Sequence, residues 1–269
     1  MRTLGAIPRS RAPEVELTPG SLSQAATEAF VLTAAAIHRF TRDQELRSLI
    51  VTSAMPDEGK TTIAANLAVA LAVRGARVLL VDGNLRRPAI HGLFRLENAS
   101  GFAEIIEEAS TGDGTPNDRV AGMDDSRFMA VASRTNVKGL NLVPAGRLSG
   151  IRAVPLDREK LRPLILRLCR LADIVIVDTP AASEGRDALA LGASVDTAIL
   201  AVQARSSEYH AVEWARRSLV AAGTNVLGVV LTHCAPRDLT KDAGQESGSM
   251  EVEGSMPEKE RSACHDCAR

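Results

Sequence analysis

One short stretch, residues 54–61, constrains the fold of this chain more than any other part of it. It reads Ala-Met-Pro-Asp-Glu-Gly-Lys-Thr and follows four apolar or β-branched residues, Leu49 to Thr52, which predict a buried strand. A mostly apolar segment without a helix breaker then runs to Val73, and Gly75 stands where a helix C-terminal cap is expected. A strand, a glycine-containing loop and a helix in this order are typical of a loop that binds nucleotide phosphates.

The residue types in this phosphate loop suit such binding. Ala54 holds the position of the usual first glycine, and Gly59 to Thr61 match the Gly-Lys-Ser/Thr end of the pattern. Glycine lets backbone N–H groups curve around phosphate oxygens, lysine meets the β- and γ-phosphates, and the threonine hydroxyl is a magnesium ligand. Such a triplet arises easily by chance, but its place between a buried strand and a long helix makes it specific. We therefore expect the cofactors ATP and Mg²⁺, with a nucleotide site made of Ala54, Met55, Pro56, Asp57, Glu58, Gly59, Lys60, Thr61 and Thr62.

Further apolar runs of strand length predict the rest of the sheet. They do not alternate with polar residues, as is typical of strands covered on both faces. Helical segments such as Arg158 to Leu171 and Glu208 to Ala222 fall between them, so we predict an α/β fold of the P-loop NTPase class, a mostly parallel central sheet with helices on both faces. The predicted strands after the first are Val78 to Val81, Leu140 to Val143, Ile174 to Val177, Ala198 to Val202 and Val226 to Leu231.

The ends of the chain differ in composition from its centre. Residues 1–20 contain three prolines and no helical or strand period, which predicts a flexible arm. Residues 21–235 are the predicted nucleotide-binding domain, which opens with a helix from Ser21 to Phe40. Residues 236–269 are polar and charged, which predicts a disordered tail.

Net charge and the lengths of the apolar runs bear on the partners of the chain and on its location in the cell. The net charge of -1 gives no general attraction to nucleic acid, so we expect no nucleic-acid partner. No apolar run is long enough for a membrane span or placed as a secretory signal, which predicts a cytoplasmic chain. Of four cysteines, only Cys264 and Cys267 form a motif, and without a second pair we interpret it as a chance occurrence rather than a metal or redox site.

Two aspartates follow predicted strands. Asp82 ends Val-Leu-Leu-Val-Asp, and Asp178 ends Ile-Val-Ile-Val-Asp. A carboxylate at the carboxyl end of a central parallel strand faces the crevice where α/β sheets bind ligands. We therefore expect Asp178 to hold the magnesium ion together with Thr61 and Asp82; the alternative role for both aspartates is that of a helix cap or turn residue.

Several segments together resemble the bacterial protein-tyrosine kinases of capsule and exopolysaccharide export. The resemblance covers about residues 25 to 235, and its most specific part is Leu85-Arg86-Arg87-Pro88, since general P-loop ATPases lack it. Val143-Pro-Ala-Gly146 and Gly228-Val-Val-Leu231 also match segments of that family. The remaining matching residues are the phosphate loop, Asn66-Leu-Ala, Val78 to Asp82, His91, Phe94, Asn98 and Gly101.

The resemblance implies ATP-dependent phosphorylation of tyrosine, with Lys60, Asp82 and Arg86 as catalytic residues. Asp82 is the candidate base for the tyrosine proton, and Arg86 would neutralise phosphate or hold the acceptor, unless it makes only a surface salt bridge. The implied partners are protein tyrosine substrates and a membrane polysaccharide co-polymerase of the chain-length determinant type. Such a partner would recruit the chain to the inner face of the cell membrane, and the family also forms homo-oligomeric rings.

The sequence departs from the family at several positions. Asn84 stands where the second acid of an Asp-x-Asp motif is usual. Val31 and Ala34 replace two arginines that help the family form rings, and in place of a C-terminal tyrosine cluster the chain has the single Tyr209. The alternative hypothesis is therefore a catalytically weakened, nucleotide-binding regulator of the co-polymerase. A partitioning-type ATPase is a third hypothesis, against which Met55 replaces the second lysine usual in that loop.

Overall fold

A computed structural model of the chain describes residues 1–9, 24–111, 113–147 and 156–235. Its strands form one eight-stranded sheet in the order β1-β8-β7-β2-β6-β3-β5-β4, parallel except where β4 runs antiparallel to β5. The predicted α/β fold is thus confirmed. The strands are β1 (Thr3–Pro8), β2 (Ser48–Ser53), β3 (Val78–Asp82), β4 (Ser133–Arg134), β5 (Leu140–Val143), β6 (Ile174–Asp178), β7 (Thr197–Gln203) and β8 (Val226–Cys234).

Helices cover both faces of this sheet. Residues of β2 alternate between two cores: Leu49 and Val51 pack with α1 and α2 on one face, while Ile50 faces the other helices. Both faces are buried, which explains why the strands are apolar throughout. The helices are α1 (Gln24–Asp43), α2 (Lys60–Val73), α3 (Ile90–Leu93), α4 (Phe102–Ser110), α5 (Pro116–Gly122), α6 (Asp125–Val131), α7 (Arg158–Leu171), α8 (Asp187–Gly192) and α9 (Tyr209–Ala221), with one 3₁₀ turn at Ala182–Glu184.

The prediction of a flexible arm over residues 1–20 is wrong for Thr3–Pro8. These residues form the edge strand β1, which pairs in parallel with β8 and buries Leu4 and Ile7. Gly5 lies so close to α1 that a Cβ on it would collide with the Thr33 side chain. Pro8 suggested an irregular segment, but proline is tolerated at a sheet edge. Residues 10–20 of the predicted arm, residues 21–23 of the predicted first helix and the tail 236–269, with Cys264 and Cys267, lie outside the described residues.

The strand order gathers the predicted site at one edge of the sheet. β2, which leads into the phosphate loop, lies between β7 and β6, and β6 pairs with β3. Asp82 and Asp178 are register partners at the carboxyl ends of these last two strands. No helix in the described ranges is both long and apolar enough to span a membrane.

Candidate functional site

The backbone of the phosphate loop is curved into a cradle. Asp57 and Gly59 have φ values of 60° and 85°, in the left-handed region. Left-handed residues in such loops turn successive backbone N–H groups toward a common centre that binds anions. The side chain of Lys60 is buried at the first position of α2, where the helix N-terminus adds partial positive charge. The local geometry therefore suits the phosphate binding predicted for residues 54–62.

Elements far along the chain hold this loop in place. The Glu58 carboxylate is buried and accepts hydrogen bonds from the Met55 N–H, at 2.9 Å, and from the Ser207 hydroxyl. The Thr232 hydroxyl donates to the Glu58 carbonyl oxygen at 3.0 Å. Sequence reasoning missed Ser207 and Thr232, because only the pairing of β7 and β8 beside β2 brings them to the loop.

Thr61 and Asp178 meet as the sequence predicted. The Thr61 hydroxyl donates to Asp178 Oδ2 at 2.8 Å, while Asp178 Oδ1 is buried and has no hydrogen-bond partner within the described residues. Burial, with the nearby charge of Asp82, raises the pKa of Asp178 to about 8. A cation beside the unsatisfied oxygen would remove the penalty of this buried carboxylate.

This pair of oxygen ligands fits magnesium. Mg²⁺ prefers oxygen ligands and is usually held by one or two carboxylates, substrate phosphates and water. The described parts of the chain contain no cluster of three or more His, Cys, Asp or Glu that could hold a metal ion. A magnesium ion at Thr61 and Asp178 would therefore take its other ligands from nucleotide phosphates and water.

Asp82 is fully buried, and its bonds are those of the cap or turn residue that was the alternative role of this position. Its Oδ2 accepts from the N–H groups of Ala89 and Ile90, at 3.1 and 3.2 Å, and its Oδ1 accepts from the Asn84 N–H at 3.2 Å. Burial raises the pKa of Asp82 to about 6 against the opposing effect of these bonds. Asp82 thus anchors the segment that carries Leu85-Arg86-Arg87-Pro88. Its roles as base and metal ligand stay predictions.

Gly83 allows the two carboxylates to lie side by side. Its N–H donates to the Asp178 carbonyl oxygen at 2.9 Å, and a Cβ on Gly83 would lie 2.7 Å from that oxygen. A real Cβ does not approach a backbone oxygen so closely, hence only glycine fits without a shift of β3 or β6. Sequence reasoning considered Asp82 and Asn84 but missed the residue between them.

A hydrogen bond and two ion pairs also hold the segment after Gly83. Asn84 Oδ1 accepts from the Arg87 N–H at 3.2 Å, so the amide stabilises the turn. Arg86 Nε lies 3.0 Å from Asp187 Oδ2, and Arg87 lies 3.8 Å from Glu184. The salt bridge that was the alternative role of Arg86 is therefore present; its catalytic role stays a prediction.

Near the carboxyl end of β5, three residues that the resemblance singled out, Asn98, Gly101 and Gly146, lie close together. The Asn98 side chain accepts from the Gly146 N–H at 2.7 Å and donates to the Gly146 carbonyl oxygen at 3.2 Å. Gly101 packs against the Pro144 carbonyl oxygen so closely that a Cβ would overlap it. Glu104 accepts from the Gly101 N–H at 2.7 Å. These contacts fix the loop after β5 at the same edge of the sheet as Asp82.

Comparison with known proteins agrees with this geometry. The profile of the CobQ/CobB/MinD/ParA nucleotide binding domain matches residues 49–264. Tyrosine-protein kinase YwqD of Bacillus subtilis is 30% identical over 189 residues, which are 70% of this chain and 73% of that protein. The CapA2B2 chimerical protein superposes with a TM-score of 0.70 at 26% identity over 87% of this chain and 94% of its own. The kinase domain of Escherichia coli tyrosine kinase ETK, at 24% identity, shares the fold, with a TM-score of 0.71 over 94% and 95% of the two chains.

Proposed function

Since the chain belongs to the bacterial tyrosine-protein kinases within the CobQ/CobB/MinD/ParA nucleotide-binding family, we propose that it transfers the γ-phosphate of ATP to tyrosine on a protein partner. The process it serves, in this proposal, is exopolysaccharide or capsule biosynthesis and export. The observation that carries the proposal is the preformed phosphate loop, next to which Thr61 bonds to Asp178 while Asp178 Oδ1 has no partner in the part of the chain that the structure describes.

Phosphoryl transfer needs positioning and charge stabilisation more than covalent chemistry from the protein. The loop N–H groups and the Lys60 ammonium would hold the β- and γ-phosphates, next to the Thr61 hydroxyl and Asp178. Bound Mg²⁺ supplies charge neutralisation of the phosphate oxygens. These residues therefore align the γ-phosphorus with an incoming tyrosine oxygen at the edge of the sheet.

The incoming tyrosine must lose its proton. A tyrosine hydroxyl has a pKa near 10, so a nearby carboxylate assists transfer at neutral pH. Asp82 is the proposed acceptor, since burial places its pKa at about 6, close to the working pH of a cell. Its Oδ1 accepts only the Asn84 N–H and keeps a second lone pair, whereas its Oδ2 already accepts two backbone N–H groups. Arg86, 69% exposed, is the proposed contact for the acceptor protein.

The proposed partner is a membrane polysaccharide co-polymerase of the chain-length determinant type. It would hold the chain at the inner face of the cell membrane, with the remainder of the chain in the cytoplasm. This part of the proposal rests on the resemblance of Leu85-Arg86-Arg87-Pro88 and the neighbouring motifs to the kinases of polysaccharide export.

One observation favours the second candidate function, a nucleotide-binding regulator without transfer activity. Asn84 carries no charge, and its Oδ1 is occupied by the Arg87 N–H, so it cannot supply the second carboxylate of the family motif. The Asn84→Asp variant separates the two functions: phosphotyrosine formation by that variant alone would support the regulator.

The test of the kinase proposal uses the purified chain with labelled ATP, Mg²⁺ and a random copolymer of glutamate and tyrosine. We expect phosphotyrosine on the copolymer, and the Lys60→Met variant is the control for contaminating kinases. ATP binding without copolymer phosphorylation above this control would refute the transfer activity and leave the regulator. Equal nucleotide binding by the chain and its Lys60→Met variant would remove the phosphate loop as the site.

A further inference from the structure

We propose that the acceptor tyrosine lies in an acidic segment of its protein, and that Arg86, Arg87 and Arg186 recognise the glutamate or aspartate side chains beside it. The inference rests on the proposed kinase function and names the class of its protein substrate. It starts from an exposed cluster, the arginine patch, which consists of Arg86, Arg87, Arg186, Glu184 and Asp187. Three arginines meet two acids there, so the patch keeps a net positive charge.

The arginine patch lies beside the proposed transfer site. Arg86 and Arg87 belong to the segment between β3 and α3, and both ends of that segment donate backbone N–H groups to the Asp82 carboxylate. Arg186 and the two acids belong to the segment that follows β6, whose last residue is Asp178. Asp82 and Asp178 are register partners, so the patch joins the two segments that leave these carboxylates. A peptide that brings a tyrosine to Asp82 therefore lies within reach of the arginines.

The arginines have hydrogen-bond donors left for a ligand. Among the described residues, the Arg86 guanidinium uses only its Nε, which donates to Asp187 at 3.0 Å, although a guanidinium carries five N–H donors. Arg87 Nη1 lies 3.8 Å from Glu184 Oε1, beyond hydrogen-bond distance. The side chains of Arg86 and Arg87 are 69% and 80% exposed, and Arg186 is exposed as well. A carboxylate of another protein can therefore bond to these groups while their present contacts persist.

The two acids of the patch orient the arginines. The Glu184 carboxylate accepts from the Ala181 N–H at 2.8 Å, which fixes it beside Arg87. Asp187, the first residue of α8, is mostly buried and holds Arg86. Exposed ion pairs of this kind contribute little to stability, but they restrict the guanidinium groups before an acceptor arrives. Less conformational entropy is then lost on binding, so the patch is preorganised for acidic side chains.

An acid must stand near the tyrosine in sequence for both to bind at once. Arg86 follows Asp82 by four residues, a span of roughly 14 Å at full extension. An extended peptide rises about 3.3 Å per residue, so acids within about four residues of the tyrosine reach the patch while the hydroxyl is at Asp82. The transfer is unchanged: the phenolic oxygen bonds to the γ-phosphorus, the bond to the β–γ bridging oxygen breaks, ADP leaves, and Asp82 is the candidate acceptor of the proton.

The test compares three nine-residue peptides that have one central tyrosine flanked by glutamates, by glutamines or by lysines. The full chain phosphorylates each peptide with ATP and Mg²⁺, and initial rates give kcat/KM. We expect kcat/KM to fall about tenfold from glutamate to glutamine and again from glutamine to lysine, mostly through KM, since charge-assisted hydrogen bonds are the stronger ones. The differences should narrow between about 0.05 and 0.5 M salt. Equal or reversed values, with phosphorylation above the Lys60→Met control, would overturn the inference and leave the kinase function intact.

Variants of the patch test whether these arginines cause the preference. The double variant Arg87→Gln with Arg186→Gln should raise KM for the glutamate peptide about tenfold, whereas Arg87→Lys with Arg186→Lys should keep most of the preference because the charges remain. The matched control is Arg39→Gln, since Arg39 is 82% exposed in the last turns of α1, close to where β2 begins. An unchanged preference in the glutamine double variant would contradict the assignment.

A binding measurement separates recognition from transfer. Fluorescent forms of the glutamate and glutamine peptides, with phenylalanine in place of the tyrosine, are titrated with the full chain, Mg²⁺ and a non-hydrolysable ATP analogue. We expect the glutamate peptide to bind about tenfold more tightly. If neither the peptides nor the glutamate–tyrosine copolymer is phosphorylated, the kinase function fails, and this titration alone decides the recognition: equal affinities would overturn it.

Discussion

Single residues at the nucleotide edge combine structural and chemical roles. Asp82 is both a candidate base and the anchor of three backbone N–H groups. Asp178 bonds to Thr61 with one oxygen, while its other oxygen meets no hydrogen-bond partner among the described residues. Gly83 is what lets these two carboxylates lie next to each other. A substitution at any of the three will therefore change the local fold as well as the chemistry.

Gly83→Ala should destabilise the chain and weaken nucleotide binding. The added Cβ would lie 2.7 Å from the Asp178 carbonyl oxygen, so β3 and β6 must separate, at a cost of about 1–3 kcal/mol. Urea denaturation and calorimetric titration with Mg·ATP measure the two effects. Gly92→Ala is the matched control, since a Cβ on Gly92 meets nothing within 4 Å. Equal stability of the two variants would contradict the close approach.

Asp178→Asn should stabilise the magnesium-free chain at neutral pH. The folded pKa of Asp178, about 8, lies above the ordinary value of 3.8, so the folded state binds the proton more tightly than the unfolded state. The stability that this group contributes is fully present below pH 4 and is lost as pH rises toward 8, by up to about 1.4 kcal/mol per unit. We expect the thermal midpoint in EDTA to fall less steeply over this range in the variant.

The control for this pH dependence is Asp173→Asn. Asp173 is bound by Arg77, which lowers the pKa of its carboxyl, so its titration cannot produce a loss of stability between pH 4 and 8. The Asp173→Asn chain should keep the wild-type slope in that window. If Asp178→Asn also keeps it, the titration of the buried Asp178 carboxyl does not cause the loss of stability between pH 4 and 8.

At the scale of elements, the loop between β7 and α9 acts as a brace for the phosphate loop. Ser207→Ala removes a hydrogen bond to the buried Glu58 carboxylate, and bonds to charged groups contribute about 1.5–3 kcal/mol. We expect the dissociation constant for ATP to rise about tenfold with the fold retained. The exposed Ser206→Ala is the matched control, and unchanged affinity in both variants would show that the brace is not needed.

The edge strand β1 should contribute to stability despite its position at the end of the chain. Leu4 is 7% exposed and packs in the core beneath α1, whereas Leu32 of α1 is 71% exposed. Leu4→Ala should therefore lower the free energy of unfolding by about 2–4 kcal/mol, and Leu32→Ala should change it little. Denaturant unfolding of the two variants gives the comparison; equal losses would mean that β1 is not docked in solution.

For the whole molecule, the site and the sheet are one cooperative structure. The phosphate loop, the carboxylates and the brace come from β2, β3, β6, β7 and β8, so a nucleotide bound there should stabilise all of the layers. At a concentration 100 times the dissociation constant, Mg·ATP should add about 2.7 kcal/mol to stability. Thermal denaturation should show this rise for the wild-type chain and not for Lys60→Met; a rise in both would place the nucleotide elsewhere.

The whole fold also explains the residues at positions 31 and 34, where the resemblance implies arginines that help to form rings. Val31 is 38% exposed on the outer side of α1, while Ala34 is completely buried. An arginine at the second position would have to enter the core beneath α1, so the substitution in this chain fits its own packing. Self-association remains a prediction. With Val31 and Ala34 in place of arginines, these two positions offer no charged contact for it.

The sequence by itself determined the central strands, the long helices α1, α2, α7 and α9, and the core of the site. These follow from local rules: continuous apolar runs, helical spacing, and a phosphate loop whose residue types are chemically required. Asp82 and Asp178 could be assigned because each stands at the end of an apolar strand, and Thr61 because it completes the Gly-Lys-Thr end of the phosphate-loop pattern. The short helices α3 to α6 were missed, because segments of four to nine residues carry too little periodicity to stand out.

Only the tertiary structure decided the contacts between distant segments. Thr3–Pro8 becomes a strand because β8 offers an unpaired edge and α1 covers Leu4, neither of which can be read from the first residues alone. Ser207 and Thr232 reach the phosphate loop because β7 and β8 lie beside β2, and Gly83 matters because β3 lies against β6. Strand order is set by packing across the whole chain, so residues with no local signal can complete the site.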